Sequence, residues 1–139
     1  MSIHDMTLQE QSLLFANLAS LAYGNEKDVR KSARAFGFTK TAFFDHGGAQ
    51  AYRFENKTDV VVACRGTQPT EFNDIKADLK AVPVMAETVS RVHHGFKVEV
   101  DEIFPYIMPK LMEKKDETRK LWFCGHSLGA AMATIMASR

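Results

Sequence analysis

A Gly-His-Ser-Leu-Gly element near the end of this chain, residues 125–129, narrows its possible folds more than any other stretch. Residues 121–124, immediately before it, are apolar without interruption, which is typical of a strand buried on both faces. Residues 130–137, after it, are mostly small or unbranched and suit a helix packed closely on a sheet. We therefore predict a strand, a sharp turn and a helix, the setting of a nucleophile elbow.

The chemistry of such an elbow depends on its middle residue, Ser127, whose hydroxyl is held clear of the sheet by a strained turn. Gly125 and Gly129 lack the β-carbons that would collide where the strand meets the helix. The helix start at Leu128 offers free backbone N–H groups to a developing negative charge. The plainer alternative is a buried turn whose serine caps a helix, which leaves the second glycine unexplained.

Length and composition indicate one globular domain, since the 139 residues are 45% hydrophobic and 25% charged. The net charge of +1, from 18 basic and 17 acidic residues, gives no electrostatic reason to expect nucleic acid or an anionic membrane surface. Cys64 and Cys124 form neither a disulfide framework nor a metal-ligand spacing. We expect no metal and no cofactor.

Targeting signals are not evident at the start of the sequence. Residues 1–5 show no cationic start followed by an apolar run, so no signal peptide is predicted. The longest apolar run falls far short of the roughly 18 residues that a membrane span requires. The expectation is a soluble, cytoplasmic protein without a transmembrane segment, and export by a route that needs no signal peptide stays compatible with the sequence.

Two helices are predicted in the first forty residues or so. Residues 7–10, Thr-Leu-Gln-Glu, read as a capping box, and Tyr23-Gly24-Asn25 ends the helix that it starts. A second, short helix is predicted from Lys27 to Phe36, with Gly37 as its stop. The first is amphipathic, with apolar residues recurring at near-helical spacing: Leu8, Leu14, Phe15, Leu18, Ala19 and Ala22.

Strand patterns follow the helices. Residues 41–45 and 49–55 alternate apolar and polar side chains around His46-Gly47-Gly48, which predicts a β-hairpin. Residues 59–64 are apolar and β-branched after Asp59, which indicates a central strand.

The middle of the chain is predicted to alternate between helix and strand. We expect a short helix over residues 71–80, a strand around residues 82–85, and a long helix from residue 94 to about 114 that Pro105 should kink. A hairpin leading into buried strands joined by helices argues for a mixed α/β sheet. The elbow then lies at the carboxyl end of a strand, where open sheets place their ligands.

Three motifs in this order, Arg65-Gly66-Thr67, His94-Gly95-Phe96 and the element at 125–129, resemble those of the class 3 (fungal-type) lipases. The helix ending in residues 19–23 is similar to the opening helix of that family, so the resemblance covers essentially the whole chain. It implies the α/β-hydrolase fold, a three-layer mixed sheet truncated after the elbow helix. Residues 1–139 would be the N-terminal part of a single domain.

The resemblance also implies roles for individual residues. Ser127 falls on the acyl-accepting nucleophile, and Thr67 falls on the oxyanion residue, which contributes its backbone N–H and its hydroxyl. Leu128 supplies the second oxyanion N–H. Removing one such donor typically costs about 10²–10³ in kcat. Taken alone, Arg65-Gly66-Thr67 reads equally well as a turn that ends a strand.

The sequence departs from the family pattern in the segment after the oxyanion loop. Family members often carry a tryptophan where this chain has Ile75, and fungal members form a lid from the region matching residues 69–76. With Phe72 and Ile75 as its main apolar contacts, a lid here would be modest.

A larger departure concerns the catalytic triad. In this family the aspartate and histidine follow the serine, but the given sequence ends at Arg139, soon after Ser127. The five histidines read as structural or surface residues, not as the general base: His4, His46, His93, His94 and His126. We expect residues 1–139 to be half of a larger domain, whose remainder lies in another polypeptide, has been cleaved off or is missing from the sequence given.

Two structural consequences follow from this truncation and from the family's strand order. The elbow strand would become an exposed apolar edge, to be covered by the missing C-terminal half or by a self-association partner. Cys64 and Cys124 would end neighbouring strands as small buried core residues. A redox link between them requires Cα atoms within about 7 Å.

The leading hypothesis is a serine ester hydrolase, a triacylglycerol lipase or carboxylesterase that cleaves acyl esters of lipids through an acyl-enzyme on Ser127. A histidine outside the given residues would act as the base. One alternative is an inactive remnant or interaction module that lacks the triad aspartate and histidine. Another is an acyltransferase or phospholipase on the same scaffold.

Overall fold

The computed structural model of the chain describes residues 2–46, 49–65, 83–85, 91–93, 100–101, 103–107, 119–126 and 128–139. Only the backbone is described for residues 83–85, for residues 91–93 and for Leu128. The strands within these residues are β1 (Lys40–His46), β2 (Ala49–Glu55), β3 (Asp59–Arg65), β4 (Pro83–Met85), β5 (Arg91–His93) and β6 (Lys120–Gly125). The helices are α1 (Leu8–Leu21), α2 (Glu26–Ala35), α3 (residues 100–101 and 103–107) and α4 (Leu128–Ala137).

Helix α1 begins at the predicted capping box. The Thr7 hydroxyl accepts a hydrogen bond from the Glu10 N–H, and the Glu10 carboxylate accepts one from the Thr7 N–H, both at 3.2 Å. Leu14 and Leu18 are buried, as the apolar pattern predicts, but Leu8 is 79% exposed. The prediction that Leu8 belongs to the buried face of α1 is wrong, because Leu8 lies in the first turn and reaches no core residue.

Helix α2 is present with each end one residue earlier than predicted. The Asn25 side chain caps it by accepting a hydrogen bond from the Asp28 N–H at 3.0 Å. Gly37 follows the helix with a φ of 91°, a left-handed conformation that favours glycine and stops the helix.

A four-stranded sheet in the order β1-β2-β3-β6 forms the centre of the molecule. β1, β2 and β3 pair antiparallel in turn, which confirms the predicted hairpin and the central position of β3. β6 lies parallel to β3, with Val61 opposite Trp122 and Cys64 opposite Gly125. Because parallel neighbours cannot be joined by a tight turn, the long segment between β3 and β6 crosses over the sheet.

The crossover segment contains β4, β5 and α3. β4 lies within the strand predicted around residues 82–85, and it pairs antiparallel with β5, which the sequence analysis did not predict. Three residues are too few for an alternating pattern to be recognised. α3 continues through Pro105. The helix predicted over residues 71–80 and both ends of the long helix, residues 94–99 and 108–114, lie outside the described residues.

The sheet separates two hydrophobic cores, so helices cover both of its faces. On one face, α1 and α2 pack against alternate residues of β2 and β3, including Phe54, Val61 and Ala63. On the other face, α3 and α4 pack against the intervening residues, including Val62 and Cys64. This is the predicted three-layer mixed α/β architecture.

In the part of the chain that the structure describes, β6 is an edge strand of the sheet. Cys124 is buried, whereas Leu121 is 45% exposed. The prediction that residues 121–124 are buried on both faces is therefore wrong at Leu121 and holds only in part at Trp122 and Phe123, which are partly buried. The expectation of an apolar edge at this strand is confirmed for the described residues.

At the amino ends of β3 and β6, Asp59 is completely buried. Its carboxylate accepts hydrogen bonds from the Ile3 N–H at 3.0 Å, from the Thr58 hydroxyl at 2.7 Å and from the Trp122 indole N–H at 2.8 Å. These contacts join the N-terminal segment to both strands. The Trp122 ring also packs against Phe15 of α1, with ring centroids 5.5 Å apart.

Candidate active site

The described residues show the predicted strand, turn and helix around the Gly-His-Ser-Leu-Gly element. β6 ends at Gly125 and α4 begins at Leu128, so only two residues connect them. The Gly129 N–H donates a hydrogen bond to the His126 carbonyl at 3.0 Å, which closes this tight connection. Ser127, the predicted nucleophile, lies outside the described residues.

Gly125 lies where the end of β6 meets the first turn of α4. A β-carbon at this position would overlap the Gly129 carbonyl group and would lie 2.7 Å from the Ala130 amide nitrogen. Both contacts involve backbone atoms, which cannot rotate away as the end of a side chain can. The residue must therefore be glycine for the strand and the helix to approach this closely, as the sequence analysis argued.

The two predicted oxyanion donors, Thr67 and Leu128, follow the neighbouring strands β3 and β6 in the sequence. Leu128 is the first residue of α4, and the first N–H groups of a helix have no acceptor within it. Thr67 lies outside the described residues, two positions after Arg65, the last residue of β3. β3 and β6 are adjacent and parallel, so the chain leaves both strands at the same edge of the sheet. The donor roles of Thr67 and Leu128 stay predictions.

Tyr23, just after α1, contacts the elbow directly. Its hydroxyl donates a hydrogen bond to the His126 carbonyl oxygen at 3.2 Å and lies 3.4 Å from Nδ1 of the His126 ring. The Tyr23 and His126 rings meet edge to face, with centroids 6.1 Å apart. The Arg65 guanidinium carbon lies 5.9 Å from the centroid of the Tyr23 ring.

Through Tyr23, three stretches that are distant in sequence meet at one end of the sheet. In the sequence, Tyr23 belongs to a predicted helix stop and to the segment that resembles an opening helix. An aromatic residue at a helix end does not reveal what its hydroxyl contacts, so nothing local in the sequence indicated this contact.

The histidines whose side chains are described lie on or near the surface. His126 and His4 are exposed, and His46 is half-buried and stacks on Tyr106, with ring centroids 3.5 Å apart. The side chains of His93 and His94 are outside the described part of the chain.

Cys64 and Cys124 lie on the neighbouring strands β3 and β6, as predicted. Their side chains point into opposite cores, Cys64 toward α3 and α4 and Cys124 toward α1 and α2, and both thiols are free. Burial raises the pKa of Cys124 to about 12. The pKa of Cys64 is raised well above its ordinary value, mainly by burial and to a smaller extent by the nearby Cys124. Both are neutral packing residues.

The described residues also bear on metal binding and on membrane spanning. They contain no group of three or more histidine, cysteine, aspartate or glutamate side chains arranged to hold a metal ion. Among the helices in those same ranges, none is long and apolar enough to cross a membrane.

Residues 61–139 match the family described as lipase (class 3). The matched region begins within β3 and includes the elbow and α4. No curated protein sequence matches the chain.

Solved structures of similar fold include the triacylglyceride lipase of Rhizomucor miehei, with a TM-score of 0.69 and 23% identity, covering 95% of this chain and 55% of that one. A triacylglycerol lipase whose catalytic centre is formed by a serine protease triad matches with a TM-score of 0.69 and 24% identity, covering 95% and 55%. The Lip2 lipase of Yarrowia lipolytica matches with a TM-score of 0.66 and 18% identity, covering 95% and 54%. At these identities the likeness shows the fold, and the chain spans about half the length of the lipases it matches.

Proposed function

Because this chain belongs to the class 3 lipase family, we propose that it is the N-terminal part of a serine ester hydrolase that cleaves acyl esters of lipids. The observation that carries the proposal is the close backbone contact between Gly125 and the first turn of α4. A tight strand-to-helix connection of this kind serves to present the residue within it, here Ser127, at the edge of the sheet.

In the proposed reaction the Ser127 hydroxyl oxygen attacks the acyl carbonyl carbon, and a general base takes the hydroxyl proton. The N–H groups of Thr67 and Leu128 stabilise the negative charge on the carbonyl oxygen. The bond to the leaving alcohol then breaks, and the alcohol departs with the proton. Water hydrolyses the resulting acyl-serine ester, which releases the carboxylic acid and restores the hydroxyl.

The base in this scheme is a histidine outside residues 1–139. The proposal places it in the rest of the domain, because the similar lipases are nearly twice as long as this chain. The same portion would cover the exposed edge of β6 at Leu121. The intact mass of the native protein tests this proposal. A mass well above 15.6 kDa supports it, whereas 15.6 kDa together with a dimer would favour self-association instead.

The nucleophile is tested by Ser127→Ala in the native, intact polypeptide. We expect p-nitrophenyl ester turnover to fall by at least about 10³, because the residue that forms the acyl-enzyme is lost. Ser12→Ala is the matched control, since the exposed Ser12 hydroxyl donates only to the Leu8 carbonyl of α1 among the described contacts. Unchanged turnover in Ser127→Ala rejects the proposal, and product analysis with a competing alcohol separates hydrolysis from acyl transfer.

A location in the cytoplasm stays the prediction made from the sequence.

A further inference from the structure

We infer that Tyr23 is a positioning residue for the nucleophile, because its hydroxyl fixes the peptide group that joins His126 to Ser127. The inference rests on the proposed function, since it assigns Tyr23 a part in the reaction of Ser127. It extends that function to a residue more than a hundred positions earlier in the chain.

The His126 carbonyl oxygen is held by two hydrogen-bond donors. It accepts one hydrogen bond from the Gly129 N–H at 3.0 Å and a second from the Tyr23 hydroxyl at 3.2 Å. A carbonyl oxygen has two lone pairs, so these two donors occupy both. Because the peptide group is planar, fixing this oxygen also fixes the direction in which the chain continues to the Ser127 nitrogen.

The two donors to this oxygen come from different parts of the fold. Gly129 belongs to α4 itself, so its bond alone would let the elbow move together with its helix. Tyr23 follows α1 on the opposite face of the sheet, so its bond ties the elbow to a separate element. Two donors from different elements hold the carbonyl oxygen more firmly than one.

Tyr23 also lies close to Arg65 at the end of β3. The Arg65 guanidinium lies 5.9 Å from the Tyr23 ring, and Arg65 is the last residue of β3, two positions before Thr67. Tyr23 therefore contacts both chain segments that carry the predicted nucleophile and its predicted oxyanion donor. A small displacement of either segment is costly, because misplacement by about 1 Å can reduce turnover by about 10².

The test is Tyr23→Phe in the native, intact polypeptide, which removes only the hydroxyl and keeps the ring. We expect kcat for a p-nitrophenyl ester to fall about five- to tenfold, with KM within about twofold of the wild type. The rate at which a fluorophosphonate probe labels Ser127 should fall in parallel. This second readout does not depend on binding of the ester.

Tyr52→Phe is the matched control. The Tyr52 hydroxyl donates to the Gly24 carbonyl at 2.9 Å, so its loss loosens the same segment without touching the elbow. We expect Tyr52→Phe to lower Tm at least as much as Tyr23→Phe, and to keep kcat within about twofold of the wild type.

The outcomes separate this inference from the proposed function. If Ser127→Ala abolishes turnover but Tyr23→Phe leaves kcat unchanged, Tyr23 has no positioning role and only the present inference fails. Equal losses of kcat in Tyr23→Phe and Tyr52→Phe mean that Tyr23 acts only through the stability of its segment, which also overturns the inference. A wild-type protein that neither turns over esters nor reacts with the probe overturns the proposed function together with the inference.

Discussion

The two ends of the parallel pair β3 and β6 are built from different chemistry. At the amino end, the Asp59 carboxylate is fully buried and accepts hydrogen bonds from Ile3, Thr58 and Trp122. At the carboxyl end of β6, His126 is exposed, and Gly125 before it contributes no side chain.

This contrast shows how one pair of strands divides its tasks. A buried carboxylate with three donors tolerates little movement, so the amino end fixes how the N-terminal segment packs on the sheet. At the carboxyl end, Gly125 instead lies against the backbone of the first turn of α4. In open α/β sheets ligands bind at the carboxyl ends of the strands, so the proposed site lies at the end opposite to the Asp59 contacts.

The largest expected effect is on stability, at the amino end. Asp59→Ala leaves the buried Ile3 N–H and the partly buried Trp122 indole N–H without this acceptor and should lower the free energy of unfolding by about 3–5 kcal/mol. Urea denaturation measures the change. The control is Asp45→Ala, whose exposed carboxylate binds only the Gln50 side chain among the described contacts. Equal losses of stability in the two variants would mean that the hydrogen bonds of Asp59 do not stabilise the amino ends of β3 and β6.

Gly125→Ala tests the carboxyl end. The added methyl group collides with the backbone of α4 and should lower the free energy of unfolding by about 1–3 kcal/mol. Because the elbow is displaced, ester turnover should fall by about 10².

Gly37→Ala is the comparison variant for this effect. It introduces strain at a φ of 91° but meets no atom within 4 Å. Its stability should fall by about 1–2 kcal/mol, while turnover of the folded protein stays unchanged. Full activity in Gly125→Ala would show that the close approach has no functional part.

The two thiols lie near the carboxyl ends of β3 and β6, and both are buried in the cores. In the unfolded chain Cys124 ionises near its ordinary pKa of 9.0, whereas in the native state burial raises the pKa of Cys124 to about 12. Between these values the unfolded state binds fewer protons than the native state, so stability falls as pH rises, by up to about 1.4 kcal/mol per pH unit. Below pH 9 the contribution is fully present.

The thiol prediction is tested by measuring urea denaturation of the wild type and of Cys124→Ala between pH 7 and about 10.5, inside the window set by the raised pKa. The wild type should be more stable at neutral pH because its core is filled, and the difference should narrow above pH 9. A constant difference across the range would mean that the native thiol ionises as readily as the unfolded one.

The smallest expected effect belongs to Thr58→Ala. It removes one of the donors to Asp59, but Trp122 and Ile3 still satisfy the carboxylate. We expect a loss of about 1 kcal/mol in the free energy of unfolding and no change in ester turnover. A loss as large as that of Asp59→Ala would mean that the hydroxyl, not the carboxylate, organises this end.

Features that depend on neighbouring residues were predictable from the sequence. The capping box at Thr7, the stop at Gly37, the hairpin, the central strand and the glycine at position 125 were each specified within a few residues, and each is confirmed. Their physical causes are local: the reach of a side chain, the permitted φ or the alternation of a strand.

Features that depend on distant partners were not predictable in this way. Asp59 read as the first residue of an apolar strand, but two of its three donors lie 56 and 63 positions away. Tyr23 contacts His126 across 103 positions. Leu121 was predicted to be buried because the apolar run at residues 121–124 resembles an interior strand. Its exposure follows instead from the position of β6 in the sheet. The roles of Ser127 and Thr67 stay predictions from the sequence and the family.

The strand order also determines when each strand can pair while the chain is being synthesised on the ribosome. β1, β2 and β3 are consecutive and joined by short turns, so their pairing needs only local contacts and can form early. β6 joins β3 only after residues 66–119 have been made, which takes roughly 3–10 s at typical translation rates. During that interval one side of β3 has no partner strand. The nascent chain is then most open to chaperones, and to mispairing with other chains.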